Sequence, residues 1–203
     1  MGTRLLLTRH GQTEWHAENR YAGSSEVALT AEGRRQADAL AAYARRVKPD
    51  ALFCSPQLRA RHTAEPAARA LDLSPEIVGD LRETHFGIAE GRTRDEVRRT
   101  DPGVVEHFLA DPVAGAFPGS DDPVEAAARG ARAIREIADR TTGTALVVAH
   151  NTLLRLTLCR LFGIPLSSYR TVFPRLDNAA VTEVEVTGDR TALVRFNLPV
   201  EQR

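Results

Sequence analysis

The sequence predicts an α/β fold, a three-layer α/β/α domain with a mostly parallel central sheet and an antiparallel hairpin at its edge. Short apolar runs at residues 5–8, 51–54 and 145–149 have the length of buried strands. Each leads into a stretch of helical periodicity, the rhythm of parallel strands joined by crossover helices. Two late apolar runs, 181–186 and 192–196, flank Gly188-Asp189, and so short a connection makes them antiparallel neighbours.

Taken in order, residues 5–8 form the first strand, which breaks into Arg9-His10-Gly11. Residues 12–29 show little periodicity and read as a loop over the strand end. Thr30 caps a helix reaching about Val47, with Ala37, Leu40, Ala41 and Ala44 on one face, and Pro49 stops it. After the second strand, Ser55 is expected to cap the next helix with Pro56 in its first turn, and Pro66 to interrupt that helix before Leu71. A third short strand at 76–78 leads to Leu81-Arg82-Glu83.

Residues 84–121 are rich in turn formers, with helical patterns at 94–99 and 104–109. They are expected to form a lid-like excursion over the site, within one domain spanning 1–203 and without the apolar residues for a core of its own. Asp122-Pro123-Val124-Glu125 starts a helix to about Arg140, with a cap, a proline at the first position and a capping-box-like glutamate. Residues 145–149 are the clearest buried strand and deliver His150. The helix after it carries Leu153, Leu154, Leu156, Leu158, Leu161 and Phe162, and Gly163 and Pro165 close it.

Composition narrows the function classes. The chain's 203 residues hold 27 basic and 27 acidic side chains, so no net field draws it to nucleic acid or a membrane. Lys48 is the only lysine, so any single arginine is weak evidence and position has to decide. Cys54 and Cys159 lie far apart in apolar surroundings and read as buried free thiols of a reducing compartment. Charge returns at Arg9 after three leucines, too early for a secretory segment, and no run approaches membrane-spanning length. A cytoplasmic protein is the expectation, its oligomeric state open.

The chemistry concentrates at strand ends. In open α/β sheets ligands bind at the carboxyl edge, and two strands here end in histidine, at His10 and His150. Arg9 adjoins the first, and Ser55, with Arg59 one turn into its helix, arrives at the same edge from the second strand. Guanidinium groups bind phosphate oxygens bidentately, and a helix N-terminus there favours an anion. A dianionic phosphoryl group fits such a pocket better than a carboxylate or a sugar hydroxyl. Taken alone, Arg9-His10 fits a surface histidine beside a salt-bridged arginine equally well.

The segment Leu7-Thr8-Arg9-His10-Gly11-Gln12-Thr13-Glu14-Trp15 resembles the signature of the histidine phosphatase superfamily, the phosphoglycerate mutase-like enzymes. Three further blocks resemble that family in its order: Ser55-Pro56-Gln57-Leu58-Arg59, Leu81-Arg82-Glu83-Thr84-His85-Phe86-Gly87 with Glu90-Gly91, and Val147-Val148-Ala149-His150. The resemblance implies that His10 attacks phosphorus as a neutral ring, its other nitrogen bonded to backbone. Arg9 and Arg59 then hold the phosphoryl oxygens, His150 adds a donor as a cation with substrate bound, and Glu83 protonates the leaving oxygen before activating water. His16, Gly23 and Asn151 are expected to join Arg9 and Arg59 in binding substrate. No metal and no other cofactor are expected, because no carboxylate cluster accompanies these blocks.

The departures fall on the rim. His16 stands where the family usually has asparagine, Asn151 where glycine is common, and Pro118-Gly119-Ser120-Asp121-Asp122 where Pro-Gly-Gly-Glu-Ser is usual. The reading that follows is a phosphomonoester hydrolase acting on a small phosphorylated metabolite. A phosphoglycerate mutase-type transferase is the alternative, disfavoured by the short excursion, and a silent phospho-ligand-binding domain is the third.

Overall fold

The computed structural model describes residues 2–200. Six strands, β1 (Thr3–Arg9), β2 (Ala51–Cys54), β3 (Glu76–Ile77), β4 (Thr144–Ala149), β5 (Val181–Thr187) and β6 (Arg190–Leu198), form one sheet. Its order is β3-β2-β4-β1-β5-β6. The first four strands run parallel, while β5 and β6 are antiparallel additions at one edge. The register of β1 on β4 pairs Arg9 with Ala149. The residues that follow them, His10 and His150, therefore leave the sheet side by side.

Alternation along the buried strands divides the core into two layers. Leu5, Leu7, Val147 and Ala149 pack on one face against helices α5 (Pro123–Arg140) and α6 (Asn151–Phe162). Leu6, Leu146 and Val148 pack on the other against α1 (Ala31–Val47) and α2 (Leu58–Leu71). This is the expected α/β/α arrangement. Both cysteines are free and buried. No helix among the described residues is long and apolar enough to cross a membrane.

Two local expectations need correction. Ser55 does not cap α2, because Gln57 is the N-cap residue and the Ser55 hydroxyl is bonded elsewhere. Pro66 does not interrupt α2, which runs unbroken through it. A mid-helix proline costs about 3 kcal/mol, and the burial of Ala60, Ala64, Ala67 and Ala68 around it opposes that loss. Packing keeps Gly11 small: a Cβ there would meet the Gly33 carbonyl oxygen at 2.5 Å, so the loop after β1 lies directly on the start of α1.

The excursion also differs from expectation. Its helices α3 (Arg94–Thr100) and α4 (Pro102–Ala110) enclose a small apolar cluster of Phe86, Ala89, Val97, Val105, Phe108 and Phe117. Phe108 and Phe117 stack with ring centroids 4.4 Å apart. Tyr21 completes the cluster from the first loop, 4.9 Å from the Phe86 ring. The excursion can hold a core because a residue distant in sequence supplies part of it. A final short helix, α7 (Tyr169–Val172), lies between α6 and the hairpin.

Candidate active site

A cavity of about 260 Å³ opens at the carboxyl edge of the sheet, with Arg9, His10, His16, Glu83 and Asn151 in its wall. His150 and Arg59 are fully buried nearby. The ring centroids of His10 and His150 are 5.2 Å apart, and those of His10 and His16 are 6.0 Å apart. Four elements scattered through the chain thus deliver their polar residues to one place.

His10 owes its orientation to the main chain. Its backbone N–H donates to the Ala149 carbonyl at 3.0 Å, extending the β1–β4 ladder by one residue. Its Nδ1 lies 2.7 Å from the Gly11 carbonyl oxygen. A carbonyl only accepts, so Nδ1 carries the proton and Nε2 keeps its lone pair. Burial first, then the neighbouring His150 ring and the charges of Arg59 and Arg9, holds the imidazole well below its ordinary pKa. The ring is neutral at physiological pH. Asn178, just before β5, donates to the His10 carbonyl at 2.7 Å and fixes the turn from the other side.

His150 is neutral for a similar reason, burial first and the neighbouring arginines second. Its Nε2 lies 2.7 Å from the Ser55 hydroxyl, which also accepts the Gln57 N–H at 3.3 Å. The buried hydroxyl proton has no other acceptor among the described residues, so the serine donates to Nε2, and Nδ1 bears the proton. That Nδ1–H has no partner among the described residues. The ring therefore offers a donor without being a cation.

Glu83 sits at the N-terminus of α6. Oε1 accepts from the backbone N–H groups of Thr84 (3.0 Å) and Leu153 (2.8 Å), and Oε2 from that of Thr152 (3.0 Å). These donors favour the carboxylate, but burial outweighs them and raises its pKa above the ordinary glutamate value. Gln57 couples the carboxylate segment to the first loop. Its side chain accepts the Glu83 N–H at 2.8 Å and donates to the Gly23 carbonyl at 2.5 Å.

Arg9 donates to the Leu176 carbonyl at 2.9 Å and approaches His16 Nε2 at 2.6 Å, and burial lowers its pKa to about 10. The Thr13 N–H reaches the other nitrogen of His16 at 3.0 Å. A neutral imidazole has one lone pair, so Arg9 and Thr13 compete for it. Burial, then the Arg9 charge, brings the pKa of His16 down to about 4. Arg59 gives its terminal N–H groups to the carbonyls of Ser25 (2.7 Å), Ala22 (3.1 Å) and Gly23 (2.7 Å), leaving its buried Nε unpartnered.

Gly23 needs a correction as a ligand contact. Its N–H donates to Glu90 at 3.0 Å, its carbonyl is taken by Arg59 and Gln57, and a Cβ would meet the Thr84 carbonyl at 2.3 Å. Close packing explains this glycine. The sequence singles out neither Gln57, Asn178 nor Arg155, and it brings Ser55 to the sheet edge beside Arg59 without giving it a partner there. The two amides and the hydroxyl act through partners that are remote in the chain, which leaves no local pattern. Among the described residues, no group of three or more His, Cys, Asp or Glu is arranged to hold a metal ion.

Residues 5–199 match the family model described as "Histidine phosphatase superfamily (branch 1)". The chain is 40% identical over 202 residues to the bifunctional protein Rv2228c of Mycobacterium tuberculosis, covering 96% of this chain and 53% of that protein. It spans about half the length of this relative. Among solved structures, Bacillus stearothermophilus YhfR superposes with a TM-score of 0.91 at 30% identity, covering 98% of this chain and 100% of that one. The mycobacterial glucosyl-3-phosphoglycerate phosphatase Rv2419c superposes with a TM-score of 0.86 at 26% identity, covering 98% and 100%. With its paired strand-end histidines, a buried glutamate on a helix N-terminus and a family match along nearly its whole length, the chain belongs to the histidine phosphatase superfamily.

Proposed function

We propose that the chain is a phosphomonoester hydrolase that works through a phosphohistidine on a small organic phosphate. The observation that carries this reading is the His10 ring, neutral, with Nδ1 tied to backbone, facing a cavity that also receives Glu83. Its free Nε2 forms a bond to phosphorus as the ester P–O bond breaks. Arg9, Arg59 and the His150 Nδ1–H stabilise the charge on the transferring group, the main task of a phosphoryl-transfer site. Once Arg9 turns to a phosphoryl oxygen, the competition at His16 ends, and Nε2–H of that ring becomes a further donor.

Glu83 supplies the proton. Its Oε2 accepts one backbone N–H where Oε1 accepts two, so Oε2 is the better proton carrier. In the first step it gives the proton to the departing oxygen. In the second, the carboxylate takes a proton from water as the water oxygen bonds to phosphorus and the Nε2–P bond breaks. Phosphate leaves and both groups return to their starting forms. A transferase of the phosphoglycerate mutase type uses the same first step and returns the phosphoryl group to an organic acceptor. The short excursion and the phosphatase named among the structural neighbours favour water.

The test is phosphate release by the purified protein from a panel of phosphomonoesters, with chelator present and no bisphosphoglycerate added. Release is expected from the wild type, and a loss of about a thousandfold or more in a folded His10→Ala variant. Equal turnover by the two proteins removes the enzyme reading. Release that needs bisphosphoglycerate priming selects the mutase.

A further inference from the structure

The cavity wall holds five arginines, Arg9, Arg20, Arg94, Arg155 and Arg170, against one carboxylate, Glu83. Arg9 belongs with the phosphoryl group in the reading above. Arg20 is neutralised within the chain by Glu18 and Glu96, each at 2.6 Å. Among the described residues, Arg94, Arg155 and Arg170 make no ion pair with a carboxylate.

Arg155 is the informative one, since it is only 5% exposed and its Nε has no hydrogen-bond partner. Its guanidinium lies over the Tyr169 ring, 5.0 Å from the centroid, and none of its N–H groups donates to another of the described residues. The Arg170 guanidinium lies 5.2 Å from the Phe108 centroid, against the aromatic cluster of the excursion. Arg155 and Arg170 also repel each other, and Arg155 repels Arg9. A row of like charges in a mostly buried wall is costly unless an anion is held there.

The row has a direction. Glu83 is bonded to the first turn of α6, so a leaving oxygen protonated by it departs at that helix start. Arg155 stands on the same helix four residues beyond Asn151, about 6 Å farther along the axis. We propose that the substrate carries a second anionic group on its leaving side, roughly four bonds from the bridging oxygen, and that Arg155 and Arg170 hold it. This assignment rests on the proposed hydrolase reading for its orientation. It adds the substrate class, a phosphomonoester with a carboxylate or a further phosphate on a short carbon frame.

Matched pairs test it. 3-Phosphoglycerate and glycerol 3-phosphate differ by a carboxylate, and glucose 1,6-bisphosphate and glucose 6-phosphate by a phosphate. The wild type is expected to favour the more anionic member of at least one pair by about tenfold or more in kcat/KM, as one charged contact warrants. Which pair responds says whether the group is a carboxylate or a phosphate. Arg155→Met and Arg170→Leu are each expected to bring that ratio toward one. Arg170 is half-buried, so its variant serves if Arg155→Met fails to fold. Calorimetric affinities of the same pairs for His10→Ala protein give the ratio without turnover. A binding preference that Arg170→Leu abolishes, in a protein that releases no phosphate, supports the second anion site while refuting the hydrolase. Equal affinities and equal turnover within both pairs, or a preference that both variants retain, overturn it.

Discussion

The floor of the cavity and its outer wall are held by different forces. On the floor, Glu83 accepts three backbone N–H groups and His10 is tied to a backbone carbonyl, so each takes its place from the sheet edge and the start of α6. The wall formed by residues 84–121 and α7 is fixed by rings packed on one another, Tyr21, Phe86, Phe108 and Phe117. Main-chain groups have few positions to choose from, whereas packed rings tolerate many. On the proposed hydrolase reading, the reacting groups thus stand on the part of the molecule with least freedom, and selection of the leaving group falls to the part that can be repacked.

The comparison breaks most sharply at Glu83. Glu83→Gln keeps the shape but removes the transferable proton, and hydrolysis of alkyl phosphates is expected to fall about a hundredfold or more. Nitrophenyl phosphate, whose leaving group needs no proton, should lose far less in its first step. Uniform slowing of both phosphorylation steps, measured by single-turnover kinetics, would show that the floor does not supply the acid. The same residue sets the pH dependence. An acid must be protonated to act, and burial raises the Glu83 pKa, so kcat/KM for alkyl esters should decline as pH rises through that raised value. His10 must be unprotonated, and its depressed pKa keeps the acid side of the profile flat to well below pH 6.5. An alkaline limb that persists in Glu83→Gln would assign it to another group.

A smaller effect is expected from Ser55→Ala. Without the hydroxyl, nothing fixes the tautomer of His150, and turnover should fall about tenfold with KM little changed. An unaltered kcat would mean that the ring needs no such orientation. Phe108→Ala probes the wall. It should leave nitrophenyl phosphate turnover within about threefold while changing the ranking among larger esters, and it should lower thermal stability, since truncating a packed phenylalanine costs about 3 kcal/mol. A drop in all substrates equal to that of Ser55→Ala would erase the distinction between floor and wall.

The same distinction explains what could be read from the chain in advance. His10 and His150 were legible because buried parallel strands are short apolar runs whose ends are visible in the sequence, and sheet order then made them neighbours. Glu83 was legible by resemblance alone, since an isolated glutamate in a loop has no local mark. Gln57 and Asn178 were not legible, because each acts on a backbone group far along the chain, 168 residues away for the Asn178 bond to His10. The apolar cluster of the excursion was missed because Tyr21 comes from a different loop. Gly23 was expected at the ligand, whereas it, like Gly11, answers to the close approach of another stretch of backbone, which no local pattern marks.

The sheet order has a consequence for how the molecule comes into being. β4 is the fourth strand to be synthesised, yet it lies between the first two, which do not touch. A chain growing from its N-terminus holds β1 and β2 apart, without a shared neighbour, until residue 144 and beyond emerge. Seating that late strand closes the parallel sheet and sets His150 beside His10 in the same event. A half-made chain therefore lacks the pairing of His10 with His150 on which the proposed phosphoryl transfer depends.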